Sequence, residues 1–128
     1  MQRKQLGSSD LYVTPICFGA SGLANMPDTY GYEVDAARAE ATLQAIFDGP
    51  VNFLDTSNNY GFGRSEERVG AAIRNLGGLP DGFVLSTKVD RDMETGRFDA
   101  GRVRQSIEES LTRLGLDKVQ LLHLHDPE

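Results

Sequence analysis

The chain contains no tryptophan, a single cysteine (Cys17) and only two histidines, His123 and His125. One cysteine cannot form an internal disulfide, so nothing points to secretion. Cations are scarce as well: 13 Lys+Arg stand against 19 Asp+Glu, a net charge of −6. A nucleic-acid groove and a polybasic membrane anchor both need clustered cations, and the balance argues against each. No run of about 18 apolar residues occurs, so no segment reads as a membrane span. The opening stretch, Met1 to Gly7, carries charge with no apolar run behind it, unlike a signal peptide. Two histidines without cysteines or a second carboxylate cluster fall short of a metal site. The expectation that remains is a soluble, cytoplasmic, globular protein.

What is present fits one domain of 128 residues, 39% of them hydrophobic, enough to fill a core. Lys4-Gln5-Leu6 and Leu11-Tyr12-Val13 flank Ser8-Ser9-Asp10 and read as a hairpin. Ile16 to Ala20 reads as a buried strand, followed by a loop over Gly22 to Gly31. Asp35 to Asp48 has a helical period, with Ala39, Leu43, Ile46 and Phe47 on one face, Asp35 as N-cap and Gly49-Pro50 as stop. Val51 to Leu54 reads as a strand. Ser65 to Leu76 reads as a helix capped by Ser65, with Val69, Ala72, Ile73 and Leu76 on one face. Phe83 to Val89 is a third strand. Asp99 to Leu114 is a third helix, its face formed by Val103, Ile107, Leu111 and Leu114 and its end marked by Gly115. Val119 to Leu124 is the last strand.

A hairpin followed by β-α-β-α-β-α-β implies an α/β fold with a parallel sheet. Two architectures fit four such strands: a complete, doubly wound sheet, or the first half of an eight-stranded barrel. The half barrel is the more awkward of the two, since it leaves two unpaired edges and one exposed sheet face. The chain stops at Glu128 directly after a strand, which reads as a truncation more than as a natural terminus.

Parallel sheets place ligands at the C-terminal ends of their strands. There the sequence puts Gly19-Ala20-Ser21, Asp55-Thr56 with Tyr60 close behind, Lys88, and a histidine. An acid, a phenol, an amine and an imidazole can therefore converge on one mouth. Each has an ordinary alternative: a loop-starting Asp, a turn Tyr, a snorkelling Lys, a core His. Period two puts His123 and His125 on one face, so spacing does not choose between them.

Three stretches carry a resemblance to a known family. They are Val51 to Glu66 (with Asp55, Tyr60 and Gly61-Phe62-Gly63-Arg64-Ser65-Glu66), Leu85-Ser86-Thr87-Lys88-Val89, and Ser110 to Asp117 leading into Leu121 to Glu128. In order and spacing they resemble the aldo-keto reductase superfamily, and the likeness runs through the whole chain. Thr29 to Tyr32, Phe47 to Pro50 and Asn58 to Gly63 resemble the bacterial aldose (fucose/galactose-type) dehydrogenase branch. The resemblance implies a (β/α)8 TIM barrel with an N-terminal hairpin under it. Residues 1–128 would then be its first half, four βα strands plus the hairpin, and the remaining C-terminal half would be its partner. It implies that Asp55, Tyr60, Lys88 and His125 are catalytic, His125 because it precedes Asp126-Pro127. It implies that Gly19, Ala20, Ser21 and Asp55 bind NADP or NAD. The reaction implied moves hydride between nicotinamide and a small carbonyl or sugar substrate, with Tyr60 as general acid/base beside the Lys88 ammonium. The family's main adenosine-phosphate pocket follows strands seven and eight, so this segment alone is expected to be inactive. An oligomer is compatible with the resemblance. The competing readings are a non-catalytic regulatory subunit on the same scaffold and a complete flavodoxin-like binding module.

Overall fold

The structure is a computed structural model and describes residues 1–128. Strand β1 (Lys4–Gln5) pairs antiparallel with β2 (Tyr12–Val13), Lys4 lying opposite Val13. The turn between them is tied by Ser9, whose hydroxyl donates to the Leu6 carbonyl at 2.6 Å and accepts from the Leu11 N–H at 3.2 Å. The hairpin is pinned to the rest of the chain by Asn52. Its Oδ1 accepts from the Thr14 N–H, and its Nδ2 donates to the carbonyls of Tyr12 and Gly82.

A second sheet holds four parallel strands in chain order: β3 (Phe18–Gly19), β4 (Phe53–Asp55), β5 (Val84–Val89) and β6 (Leu121–Leu124). A doubly wound sheet reverses its strand order at a switch point, and this one never does. The flavodoxin-like module is therefore excluded. A parallel sheet that adds each strand beside the last is the N-terminal part of a TIM barrel.

The helices lie between the strands. Pro27 opens the short α1 (Pro27–Tyr30), so the expected loop over Gly22 to Gly31 contains a helical turn. Helix α2 (Ala36–Asp48) begins where Asp35 accepts from the Arg38 N–H at 2.8 Å, and it buries Ala39, Leu43, Ile46 and Phe47 as its period demands. Helices α3 (Arg64–Leu76) and α4 (Ala100–Leu114) end on left-handed Gly77 and Gly115. They touch backbone to backbone at Gly70, where an added Cβ would lie 2.2 Å from the Arg113 carbonyl oxygen. Leu43, Leu54, Val69, Leu85 and Leu114 are fully buried between sheet and helices, with Phe47 and Phe83 edge-to-face at 5.0 Å. At about 1.5–3 kcal/mol for each large side chain, this layer dominates the apolar burial. No helix is long and apolar enough to cross a membrane.

Four local expectations are corrected. The first parallel strand is shorter than Ile16 to Ala20, and Ile16 (52%) and Phe18 (40%) are exposed. As an edge strand β3 has one neighbour, and its free side borders an apolar groove of about 590 Å³. Ser65 does not cap α3. Gly61, Phe62 and Gly63 all adopt positive φ, the helix starts at Arg64, and Ser65 is turned inward to donate to the Ala20 carbonyl at 3.0 Å. Leu76, expected on the buried face of α3, is 41% exposed at its last turn. Helix α4 buries Arg102, Ser106, Ser110 and Leu114, while Val103, Ile107 and Leu111 are only half-buried. Its inward row is polar because it anchors the loop that follows β4.

Candidate active site

Strand register assembles the first part of the site. Gly19 pairs with Asp55, and Asp55 with Ser86, so the tips of β3 and β4 lie beside the middle of β5, which runs on through Lys88. Side chains alternate across a strand. On β5, Thr87 faces the helices, where it donates to Glu66 Oε2 at 2.7 Å. Ser86 and Lys88 must then share the opposite face, which Asp55 also occupies. Ser86 Oγ donates to Asp55 Oδ1, and Lys88 Nζ reaches Asp55 Oδ2 at 2.6 Å.

Lys88 uses all three of its donors. They go to Asp55, to the Thr56 carbonyl at 2.8 Å and to the Tyr60 hydroxyl at 3.2 Å. The ammonium also sits 4.8 Å from the Tyr60 ring centroid. Its side chain is only 12% exposed. Burial disfavours the charged form, but the hydrogen bonds and charges of Asp55 and Tyr60 outweigh it, and the Lys88 pKa is raised above its ordinary value. The same charges reach Cys17. Partial burial and the Asp55 carboxylate push its thiol up to about 11, with Lys88 pulling weakly the other way.

Tyr60 is carried by a tight turn. Gly61 has φ +62°, and a Cβ there would lie 2.7 Å from the Ala24 Cβ. Only glycine fits this approach, which brings the phenol back over Lys88. The stem of the turn is held from α4. Asn58 is buried; its amide donates to the Ser106 carbonyl (3.0 Å), Glu109 Oε1 (3.2 Å) and Ser110 Oγ (3.3 Å). Its side-chain oxygen accepts from Arg102, and its main-chain oxygen accepts from Arg113 at 2.8 Å. Arg113 in turn pairs with the fully buried Glu66 at 3.1 Å. No buried side-chain nitrogen or oxygen is left without a partner.

The two histidines part company at the end of β6. His123 lies on the strand, in register with Lys88. His125 lies just past it, with its N–H on the Val89 carbonyl and its ring packed edge-on against Tyr60 at 5.9 Å. The structure thus brings Asp55, Tyr60, Lys88 and His125 into one group. Gly19 is exposed beside it, and an added Cβ there would meet nothing within 4 Å. Ser21 is half-buried, its hydroxyl 2.6 Å from that of Tyr30. Ala20 differs: it is fully buried in the core and offers a ligand no surface.

Sequence reasoning missed Ser57, Asn58, Ser86 and Asp90. Each lies within three residues of a site residue that was found, yet nothing in residue type or spacing marks such second partners. Asp90 accepts from Ser57 Oγ and from the Asn59 N–H, and its Oδ1 is 2.6 Å from His125 Nδ1.

The chain's relatives can now be set beside this geometry. The sequence profile of the Aldo/keto reductase family matches residues 15–128. An L-galactose dehydrogenase of Arabidopsis thaliana is 39% identical over 128 residues, covering 100% of this chain and 39% of that protein. A probable voltage-gated potassium channel subunit beta of the same plant is 39% identical over 132 residues, covering 100% and 38%. The solved structure of an aldo-keto reductase from Bacillus halodurans, in its holo form, matches with a TM-score of 0.79 at 28% identity, over 99% of this chain and 42% of that one. The chain therefore spans about two fifths of the length of these relatives. Profile, identity and fold agree over nearly every residue, and the chain belongs to the Aldo/keto reductase family.

Proposed function

We propose that residues 1–128 form the N-terminal half of an NAD(P)-dependent oxidoreductase barrel that acts on a carbonyl or hydroxyl substrate, an aldose by preference. The observation that carries the reading is the Lys88 ammonium, bonded at once to the Asp55 carboxylate (2.6 Å) and the Tyr60 hydroxyl (3.2 Å). Asp55 keeps the amine charged and aimed. The amine stabilises negative charge on the phenol oxygen, which equips Tyr60 to give or take a proton at the substrate oxygen. His125, packed on Tyr60, orients the substrate by a hydrogen bond. Such acid–base help is worth about 10²–10⁴ in rate. The exposed Gly19 main chain, the Ser21 hydroxyl and the Asp55 carboxylate at adjoining strand tips suit the hydroxyl groups of a nucleotide ribose. A nicotinamide dinucleotide, when bound, supplies or accepts the hydride. The likeness to L-galactose dehydrogenase supports an aldose as the substrate.

The rest of the barrel is the partner this half requires, and in its absence turnover is expected to be nil. In the complete barrel, Tyr60→Phe abolishes turnover and leaves cofactor binding nearly intact. Steady-state kinetics with L-fucose, D-galactose and L-galactose, beside a fluorescence titration with NADPH, checks this. Unchanged turnover removes Tyr60 from its role. The likeness to a potassium channel subunit favours a second reading, a regulatory subunit on the same scaffold. Absence of turnover with any sugar or simple aldehyde, in an intact barrel that binds NADPH, selects it.

A further inference from the structure

His125 is held by residues that the proposed reaction has not used. Its Nδ1 lies 2.6 Å from Asp90 Oδ1 and 3.2 Å from Ser57 Oγ. Asp90 is buried, its side chain 5% exposed. Its second oxygen, Oδ2, accepts from the Ser57 hydroxyl and from the Asn59 N–H at 2.9 Å. The main chain of Asp90 is clamped from α4: its N–H donates to Ser106 Oγ at 3.0 Å, and its carbonyl accepts from Arg102 Nε at 2.9 Å. The carboxylate is therefore fixed before any ligand arrives.

Counting protons assigns the imidazole. A hydroxyl carries one proton, and that of Ser57 is directed at Asp90. Toward Nδ1, Ser57 can then only accept. An ionised carboxylate only accepts as well. Both neighbours of Nδ1 demand a proton on that nitrogen, so in the neutral ring Nε2 is left with a lone pair. Nε2 makes no hydrogen bond within the chain, and the nearby Asp126 Oδ2, on a side chain 82% exposed, stands 3.7 Å away.

We propose that Asp90 is a positioning residue that locks His125 in the Nδ1–H tautomer and so presents Nε2 to the site as a hydrogen-bond acceptor. An acceptor there recognises a substrate hydroxyl and has nothing to donate to a carbonyl oxygen. Resting on the oxidoreductase reading above, this narrows the substrate to a polyhydroxylated one. The reacting hydroxyl faces Tyr60, and a neighbouring hydroxyl donates to Nε2.

The test reads the ring directly. In ¹⁵N-labelled protein carrying His123→Gln, His125 is the single imidazole of the chain. A long-range ¹H–¹⁵N correlation at pH 8, without substrate or cofactor, should show Nδ1 protonated and Nε2 bare. Asp90→Asn should reverse this. The new carboxamide must keep its oxygen for Ser57 and Asn59, which turns its N–H toward Nδ1 and moves the ring proton to Nε2. The same logic governs the Asp-to-Asn change in the serine-protease triad. Ser57→Ala should keep the Nδ1–H form, which separates the roles of the two partners if Asp90→Asn fails to fold. A spectrum with Nε2 protonated, alone or together with Nδ1, overturns the proposal. So does an Nδ1–H form that survives in Asp90→Asn or is lost in Ser57→Ala. The predicted tautomer in a complete barrel that turns over no substrate faults the oxidoreductase reading instead.

Discussion

Replacing Lys88 with methionine removes the ammonium while keeping most of the stem's volume. Three donors are lost at once, to Asp55, Thr56 and Tyr60. A hydrogen bond to a charged group contributes about 1.5–3 kcal/mol, and breaking a fully buried pair costs about 3–5 kcal/mol. Asp55 is 28% exposed and keeps its bond from Ser86, so solvent screens part of the loss. The Thr56 carbonyl loses its ammonium donor in a residue that is fully buried. The expected destabilisation is about 2–3 kcal/mol near neutral pH, roughly one M or more in urea midpoint for a chain this size. The pH dependence has a definite sign. Because the folded pKa of Lys88 is raised, its contribution is whole below the ordinary 10.5 and is lost as pH climbs through the higher folded value. Urea titrations of both proteins between pH 7 and pH 11 should therefore show a gap that is constant at first and closes at the alkaline end. No gap at pH 7, or one that widens with pH, would refute the assignment of Lys88 as the charged hub. In the complete barrel, the same variant should lose about 10²–10⁴ in kcat.

Three further outcomes follow from the same geometry. Asn58→Ala removes the side-chain bonds by which α4 holds the β4 loop, sparing the one from Arg113 to the main chain; it leaves buried groups unpaired and should cost about 2–4 kcal/mol by denaturant unfolding. Gly61→Ala forces a side chain into left-handed backbone and against Ala24; a loss of about 2–4 kcal/mol is expected by thermal melting, with the contact between Tyr60 and Lys88 displaced. With its pKa near 11, Cys17 should alkylate slowly with iodoacetamide at pH 8 and speed up through pH 11, more slowly still in Lys88→Met because the lysine charge favours the thiolate.

The repeating units and three of the grouped side chains, Asp55, Tyr60 and Lys88, were legible because each leaves a periodic or chemical mark; His125 was told from His123 only by the family resemblance. Asp35 caps α2, Gly115 ends α4, and the helical spacing of Ala39, Leu43, Ile46 and Phe47 matches the face that α2 buries. The inward face of α4 was not legible. Aliphatic spacing points to Val103, Ile107 and Leu111, yet the row that turns inward is Arg102, Ser106 and Ser110. Hydrophobic periodicity cannot see that a polar row is preferred where a buried loop needs donors and acceptors. Ser65 misled for a related reason: a serine before an acidic first turn reads as a cap, and the left-handed turn ahead of it had no signature in spacing. Asp90 was invisible because a carboxylate two residues beyond a lysine is common, and only the fold reveals that it faces an imidazole.

The anchoring of Asn58 has a consequence for how the protein is made. Its partners Ser106 and Ser110 lie 48 and 52 residues further along the chain. A ribosome delivers the loop that carries Tyr60 long before it delivers the groups that hold that loop in place. Closing so wide a span has an entropic cost that α4 repays only when it docks. The phenol and the amine are therefore expected to meet late in folding, and a nascent chain that exposes β4 and β5 alone to hold the parts of the site without its geometry.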